Sequence, residues 1–291
     1  MELVPLLIVL LSATGHAMWN FFAKQSAHKL AFIWGLYALG AVFYLPLYLW
    51  QGAGSRLGAA AWLCILASAI AKAIYVIFIA EALRTCDLSL AYPLSRIAPA
   101  IVPVWAVAFL GETISLLGAL GIAVVCVSIV AIHLQGASIQ HMLRVHHSFL
   151  TRGTVFALLA AIMVSAYSII DKLAMSRYAE PIAFNYVHWV ATVVLLTPYV
   201  VHRVGVADIV ALFRTEAWPL AISGFLDFGA YVLVLYVMET DKVSYIVAAR
   251  QTSQIMAILL GTLLLGERCG GIRLFAGALI LLGVTLIGLA R

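Results

Sequence analysis

Runs of about twenty mostly apolar residues recur along this 291-residue chain, and they constrain its fold more than any other feature. A helix needs roughly 20 apolar residues to cross the hydrocarbon core of a bilayer. Strands of a membrane barrel would instead alternate over about ten residues, which these runs do not do. The sequence therefore predicts an all-α integral membrane protein with ten transmembrane helices. Their approximate bounds are 3–23, 30–50, 60–84, 88–111, 114–134, 152–175, 181–202, 217–238, 243–266 and 271–290.

The composition supports the same conclusion. Hydrophobic residues make up 65% of the chain and charged residues only 10%. A soluble domain carries about 25% charged residues, so this chain cannot cover its surface with charge and must contact the lipid bilayer. Its net charge is +5, and the charges form no basic run. We therefore expect no nucleic-acid partner.

The chain also contains an internal repeat. The tripeptide LGE at 110–112 recurs at 265–267, and the same shift aligns ALRTCDLSLA with VMETDKVSYI. Near the start of each half, AMWNFFAK aligns with AYSIIDK, which pairs Lys24 with Lys172. We predict a first repeat at 1–134, a polar connector at 135–151 and a second repeat at 152–291. Because five helices per repeat is an odd number, the repeats should have inverted topology, with a substrate site between them near the midplane.

Two five-helix repeats, WN…K in the first span and LGE closing the fourth and ninth spans resemble the drug/metabolite transporter superfamily, EamA type. The resemblance implies ten helices, with spans 1–4 and 6–9 enclosing a central cavity and spans 5 and 10 outside it. It also implies the movement of small metabolites or drugs. The segments HAMWN and KLAFIW are similar to a subgroup that is associated with phosphonate use.

Four charged side chains lie well inside the predicted spans: Lys72, Arg96, Asp227 and Arg250. A charge at the bilayer centre costs roughly 3 kcal/mol on insertion scales, so it usually faces protein or water. The repeat aligns Lys72 with Asp227 and Ser95-Arg96 with Arg250-Gln251. We predict a polar midplane site in which Arg96 and Arg250 bind a carboxylate or phosphonate. The alternative is a charge network that only locks the two halves together.

The acidic groups have two possible roles. Asp227 could pair with Lys72, receive a substrate ammonium or carry a coupling proton, and Glu81 is the second coupling candidate. Pro93 and Pro99 flank Arg96. Proline breaks helices, and broken helices often build transporter sites, so we expect span 4 to be kinked or unwound there.

Further residues are candidates for the cavity wall. Those that we predict to bind substrate are Trp19, Asn20, Tyr75, Tyr92, His188 and Gln251. A wider set could also line the cavity, although helix packing or an interfacial belt explains each member more simply. That set contains Trp34, Tyr37, Tyr167, Asn185, Tyr186, Trp189 and Tyr231. Glu112 and Glu267 end helices after glycine, and we interpret them as structural caps for the next span.

No motif points to an enzyme or a cofactor. The chain lacks H-E-x-x-H, G-x-x-x-x-G-K-[ST] and G-x-S-x-G, and the spacing of His141, His146 and His147 fits no zinc site. We predict a secondary transporter or facilitator in the bacterial inner membrane, a monomer or homodimer, with a proton as the candidate coupling ion. Because the predicted site is more positive than negative, a small anionic or zwitterionic metabolite such as an amino acid or aminophosphonate fits best. The alternatives are a binding or subunit protein of the same fold, a multidrug or cationic-metabolite exporter, and a lipid flippase.

The distribution of basic residues conflicts with the orientation that the resemblance implies. With both termini in the cytoplasm, the outside loops carry more basic residues than the inside loops, which is the reverse of the positive-inside rule. The residues placed outside are Lys29, Arg84, Arg144, Arg152, Arg203, Arg214, Arg268 and Arg273, and those inside are Arg56, Arg177, Lys242 and Arg291. Several lie at span ends, so we retain the orientation that the resemblance implies.

Overall fold

The computed structural model of the chain describes residues 1–52, 57–85, 94–133, 151–265 and 271–290, and all regular structure within these residues is helical. The helices are α1 Leu3–Gln25, α2 Lys29–Gln51, α3 Ala59–Thr85, α4 Ala98–Trp105, α5 Leu116–His133, α6 Arg152–Arg177, α7 Pro181–Val204, α8 Val206–Thr215, α9 Ala217–Thr240, α10 Val243–Ala249, α11 Ser253–Leu265 and α12 Gly271–Leu289. A π-helical turn, Ala106–Leu110, continues α4, and a 3-10 turn, Arg250–Thr252, joins α10 to α11.

Eight helical segments are long and apolar enough to cross a bilayer, as judged by length and composition. They are α1, α2, α3, α6, α7, α9, the combined α10–α11 segment and α12. Two shorter apolar helices, Ala98–Leu110 and Leu116–Ala131, lie within the predicted fourth and fifth spans. Residues 86–93, which include the start of the predicted fourth span from residue 88, lie outside the described part of the chain.

Two helices are interrupted at positions that the repeat aligns. Arg96 lies in a turn, and α4 begins only at Ala98, with Pro99 in its first turn. This interruption confirms the predicted break in span 4. In the second half, the 3-10 turn at Arg250–Thr252 divides the ninth span. The sequence did not predict this second break, because no proline or glycine marks it.

Several helix pairs match when the two halves are exchanged. Helix α3 packs against α6, as α1 packs against α9; α3 also contacts α7, as α2 contacts α9. Helix α2 contacts α7, and α5 packs closely against α12. The side-chain pairs Ser68–Asp171 and Tyr75–Tyr167 show that α3 and α6 run antiparallel. Several helices of the first half therefore contact the same partners, with the halves exchanged, as their aligned helices in the second half.

Small residues allow two of these pairs to approach at backbone distance. A Cβ on Gly121 of α5 would lie 2.7 Å from the Gly283 carbonyl oxygen of α12, and the reverse distance is also 2.7 Å. A Cβ on Gly224 of α9 would lie 2.5 Å from the Leu36 carbonyl oxygen of α2. Membrane helices commonly pack through such small residues.

Helix α8 is an element that the sequence analysis missed. It is only ten residues long, and it buries Ile209 and Leu212, which are three residues apart. Next to them, Phe213 makes an edge-on ring contact with Trp34 of α2 at 6.1 Å. Its length is too short for a membrane span, and the apolar spacing of i, i+3 and i+4 was the available signal.

Candidate functional site

Lys72 lies at the middle of α3 with only 9% of its surface exposed. Its ammonium faces three tyrosine rings, at 4.6 Å from Tyr167, 5.0 Å from Tyr231 and 5.7 Å from Tyr37. Aromatic faces attract cations at such distances. Lys72 makes no hydrogen bond or ion pair with any residue that the structure describes. Its N–H donors therefore remain available, although its charge is partly compensated by the rings.

Arg250 contacts the same tyrosine. Its guanidinium carbon lies 5.4 Å from the centre of the Tyr231 ring, and its Nε is buried without a hydrogen-bond partner in the described chain. The side chain projects from the 3-10 turn, where the helix is interrupted. Tyr231 thus has two cationic groups near its ring, and both have unused donors.

A third charged group in this region is Asp171 of α6, which is fully buried. One of its carboxylate oxygens accepts a hydrogen bond from Ser68 Oγ at 2.5 Å, and the other accepts from the Tyr231 hydroxyl. Lys72 and Arg250 both exert their charge on it. Asp171 is not predicted from the sequence, because it aligns with apolar Ala23 and lies close to the predicted end of the sixth span at 175. Its position inside an apolar run was the signal that could have identified it.

Asp227 of α9 faces α1. Its carboxylate lies 3.6 Å from His16 Nδ1, and that nitrogen accepts a hydrogen bond from Trp19 Nε1 at 3.1 Å. Asn20 donates to the His16 carbonyl oxygen at 2.7 Å, so its amide nitrogen is engaged within α1. The ion pair between Lys72 and Asp227 that the sequence allowed is not formed in the structure, although Asp227 lies close enough to influence Lys72 electrostatically.

Arg96 and Arg250 lie close to the same side chains. Arg96 and Arg250 both influence His16 of α1 and Tyr167 of α6 through their charges. Since these four residues come from four different segments, the two helix interruptions face one common region of the bundle. The Lys72 ammonium and the Asp227 carboxylate lie in this region as well.

His188 of α7 borders this region. It is 1% exposed, and neither of its ring nitrogens makes a well-aligned hydrogen bond in the described chain, although the Ser68 backbone lies beside the ring. Its ring lies 6.5 Å from that of Tyr231, and its charged neighbour is Lys72. Asn185, one turn earlier, has an unpartnered buried oxygen. Buried polar atoms without partners usually meet water or a ligand.

The remaining predicted residues lie in other surroundings. Tyr75 makes an edge-on contact with Tyr167 at 6.2 Å, which places it beside the Lys72 rings. The Gln251 amide donates to the Val247 carbonyl and its oxygen accepts from Gln254, so its contacts stay within its own helical segment. Tyr92 lies outside the described residues, as do Glu267 and the connector histidines.

Glu81 belongs to a separate cluster near the end of α3. Its carboxylate accepts hydrogen bonds from Tyr199 at 2.7 Å, from Arg203 and, at 2.8 Å, from Arg84. Tyr199 and Arg203 come from α7, so the cluster joins α3 to α7. Its described contacts do not include the Lys72 region.

Glu112 is a helix cap, as predicted, but it caps a different helix. Its carboxylate accepts from the backbone N–H groups of Val243 at 2.6 Å and Ser244 at 3.3 Å, at the start of α10. The expected partner was the next span, α5. The expectation was wrong because it assumed a local cap, whereas the chain brings the first residues of α10 next to the turn after Gly111.

The described residues contain no group of three or more histidine, cysteine, aspartate or glutamate side chains that could hold a metal ion. The region around Tyr231 instead combines cationic donors, aromatic faces and two buried carboxylates. Such a set can bind a small charged solute without a metal.

Comparisons with known proteins agree with this architecture. The model of the EamA-like transporter family matches residues 3–134 and again residues 151–289. A solved structure, described only as the crystal structure of a protein, has a similar fold, with a TM-score of 0.71 at 15% identity, over 98% of this chain and 96% of that one. No curated protein matches the chain. Since the family model covers nearly the whole sequence in two copies, the chain belongs to the EamA-like transporter family and is a multi-pass membrane protein.

Proposed function

We propose that this protein is a secondary transporter or facilitator that moves a small anionic or zwitterionic metabolite across the bacterial inner membrane by alternating access. Its ten transmembrane spans form two inverted five-span repeats, 1–134 and 152–291, around a central site. Two findings support the repeats: the family model matches twice, and the helix pairs correspond when the halves are exchanged. The Met1 ammonium donates to the Ala290 carbonyl at 3.0 Å, which fits an even number of crossings.

The observation that carries the proposed substrate class is the pair of cations at Tyr231. Lys72 and Arg250 lie 5.0 and 5.4 Å from that ring, and both retain unused N–H donors. Desolvated cationic donors cost free energy unless an acceptor or water satisfies them. A carboxylate or phosphonate between them would accept charge-assisted hydrogen bonds, with Arg96 as a third donor. Asp227 would then receive the ammonium group of a zwitterion.

A second candidate is a transporter of cationic metabolites or drugs. It is favoured by the three tyrosine rings around Lys72, since such rings also hold alkylammonium ligands, and by the buried carboxylates Asp171 and Asp227. The resident Lys72 ammonium argues against it, because a second cation would be repelled there. The two candidates predict opposite ligand preferences.

The experiment is a thermal-shift screen of the purified full chain against glycine, 2-aminoethylphosphonate, acetate and tetraethylammonium. We expect stabilisation by the zwitterions or the anion, because a ligand that binds only the folded state raises its unfolding temperature. Arg96→Ala and Arg250→Ala should each weaken binding at least about tenfold, which corresponds to losing one charge-assisted hydrogen bond. Arg203→Ala, in the separate Glu81 cluster, is the matched control.

Stabilisation by tetraethylammonium alone would favour the second candidate. Unchanged affinity in both Arg96→Ala and Arg250→Ala would refute the proposed anion seat, which is the site between Lys72, Arg250 and Arg96. Uptake of the binding solute into proteoliposomes then separates transport from a binding or subunit role, since a binding protein would show affinity without flux.

A further inference from the structure

We propose that Asp171 binds the coupling proton of the transport cycle, and that Tyr231 links this proton to the anion seat. The inference rests on the proposed function for the identity of the anion. The reversible protonation of Asp171 can be tested without any ligand. The step is balanced as it stands: one proton adds to a carboxylate oxygen, no other bond breaks, and an anion and a proton then occupy the site together.

The partners of Asp171 allow it to gain and lose a proton in place. Both of its carboxylate oxygens are held by hydroxyl groups, those of Ser68 and Tyr231, and the side chain is fully buried. A hydroxyl can donate or accept, so either partner can turn and accept a hydrogen bond from the protonated acid. A carboxylate held by a guanidinium has no such freedom, since arginine only donates.

The other acidic side chains near the site or the span ends differ in this respect. Glu81 is bound by Arg84 and Arg203 and lies in a separate cluster, so its negative charge is fixed. Asp227 lies 3.6 Å from His16 Nδ1, which accepts from Trp19, and no hydroxyl group of the described residues holds its carboxylate. The coupling candidates from the sequence, Asp227 and Glu81, therefore become the comparison variants for this inference.

Tyr231 supplies the link to the seat. Its hydroxyl donates to Asp171, and its ring faces Lys72 and Arg250. The groups that face Asp171 are Lys72, Ser68 and Cys64 on α3, Tyr231 on α9, Arg250 in the 3-10 turn and Tyr167 on its own helix.

An arriving anion offsets the charge of Lys72 and Arg250. It thereby removes the stabilisation that these cations give to ionised Asp171, and proton binding becomes more favourable. By reciprocity, the bound proton strengthens anion binding. Because each bound species strengthens the binding of the other, we predict co-transport of the anion with a proton.

The test is infrared difference spectroscopy of the purified full chain over a pH titration, following the C=O stretch of a buried carboxylic acid. We expect a titrating band in the wild type and in Asp227→Asn and Glu81→Gln, and its loss in Asp171→Asn. Lys72→Met should move the midpoint upward by about one pH unit or more, because it removes a neighbouring cation. Arg203→Met, which removes a cation from the Glu81 cluster, should leave the midpoint unchanged.

A band that persists in Asp171→Asn, or a midpoint that does not respond to Lys72→Met, would overturn the inference. If Asp171→Asn does not fold, Ser68→Ala is the second test of the proposal. It removes one donor to the carboxylate and should also raise the titration midpoint. An unchanged midpoint counts against the proposal. When 2-aminoethylphosphonate binds, the midpoint should rise. A bound probe without this rise would refute the link. Intact binding in both Arg96→Ala and Arg250→Ala would refute the proposed anion site and leave the band as evidence for Asp171.

Discussion

Charged residues inside the membrane fall into two kinds, which their partners distinguish. Lys72 and Arg250 face aromatic rings and keep unused donors. Glu81, by contrast, is satisfied by Arg84, Arg203 and Tyr199, in an arrangement that leaves little of its capacity for a ligand. Insertion cost alone cannot separate a binding group from a structural one, because both kinds are expensive in lipid. The partners decide which role a charge can have.

Glu81→Ala should destabilise the protein without affecting ligand binding. It leaves Arg203 and the Tyr199 hydroxyl without their acceptor, and ion pairs of partial exposure contribute about 1 kcal/mol. Thermal unfolding of the purified protein measures the loss. Arg84→Ala is the matched control, since the Arg84 side chain is 63% exposed and should contribute less. An equal loss in the two variants, or weakened binding of the ligand in Glu81→Ala, would contradict this assignment.

The sequence predicted Lys72, Arg96, Asp227 and Arg250 because a charge within an apolar run is rare and costly. The same criterion applies to Asp171, but this residue lies only four positions before the predicted end of its span at 175. The tyrosines at Lys72 were less accessible to prediction. Tyr37, Tyr167 and Tyr231 come from α2, α6 and α9, and aromatic residues are common in membrane helices, so only the packing of these helices identifies the group.

At the scale of helices, the two interruptions have different origins. Proline at 99 and the turn at Arg96 explain the first, and the sequence predicted it. The second, Arg250–Thr252, contains neither proline nor glycine. The repeat in the sequence aligns this position with the first interruption, but no residue type in the sequence marks a break there. Packing against α1, which contacts this turn, is the feature present only in three dimensions.

Gly121→Ala should weaken the packing of α5 against α12. The new methyl group would lie 2.7 Å from the Gly283 carbonyl oxygen, so the helices must separate. We expect a loss of about 1–3 kcal/mol, the usual cost of overpacking, seen as a lower unfolding temperature. Gly277→Ala on α12 is the matched control, because its nearest atom, Ile255 Cγ1, is 4.0 Å away and alanine favours helix. Comparable destabilisation by both variants would contradict the close-contact explanation.

At the scale of the whole molecule, several helix pairs correspond when the two halves are exchanged. The outline of this arrangement was predictable, since apolar runs, the repeated LGE and the odd number of spans per repeat are all present in the sequence. Helices α5 and α12, which correspond to the last predicted span of each repeat, pack against each other. The short helix α8 was not predicted, because it does not reach span length.

Membrane orientation is the whole-molecule property on which two sequence criteria conflict. We expect both termini in the cytoplasm, as the family resemblance implies, with a fluorescent protein fused after Arg291 bright and alkaline phosphatase at the same position inactive. The contact of Met1 with Ala290 requires an N-terminal reporter to give the same side. Active phosphatase at the C-terminal position would instead support the distribution of basic residues.

The cap at the start of α10 has a consequence for how the protein is made. Glu112 precedes Val243, whose backbone N–H it accepts, by 131 residues. During synthesis this carboxylate emerges from the ribosome long before its partner, so it lacks this contact while the intervening helices are made. This contact therefore forms only after the start of α10 has been synthesised and packed, and a polypeptide that ends before Val243 retains a glutamate without this partner.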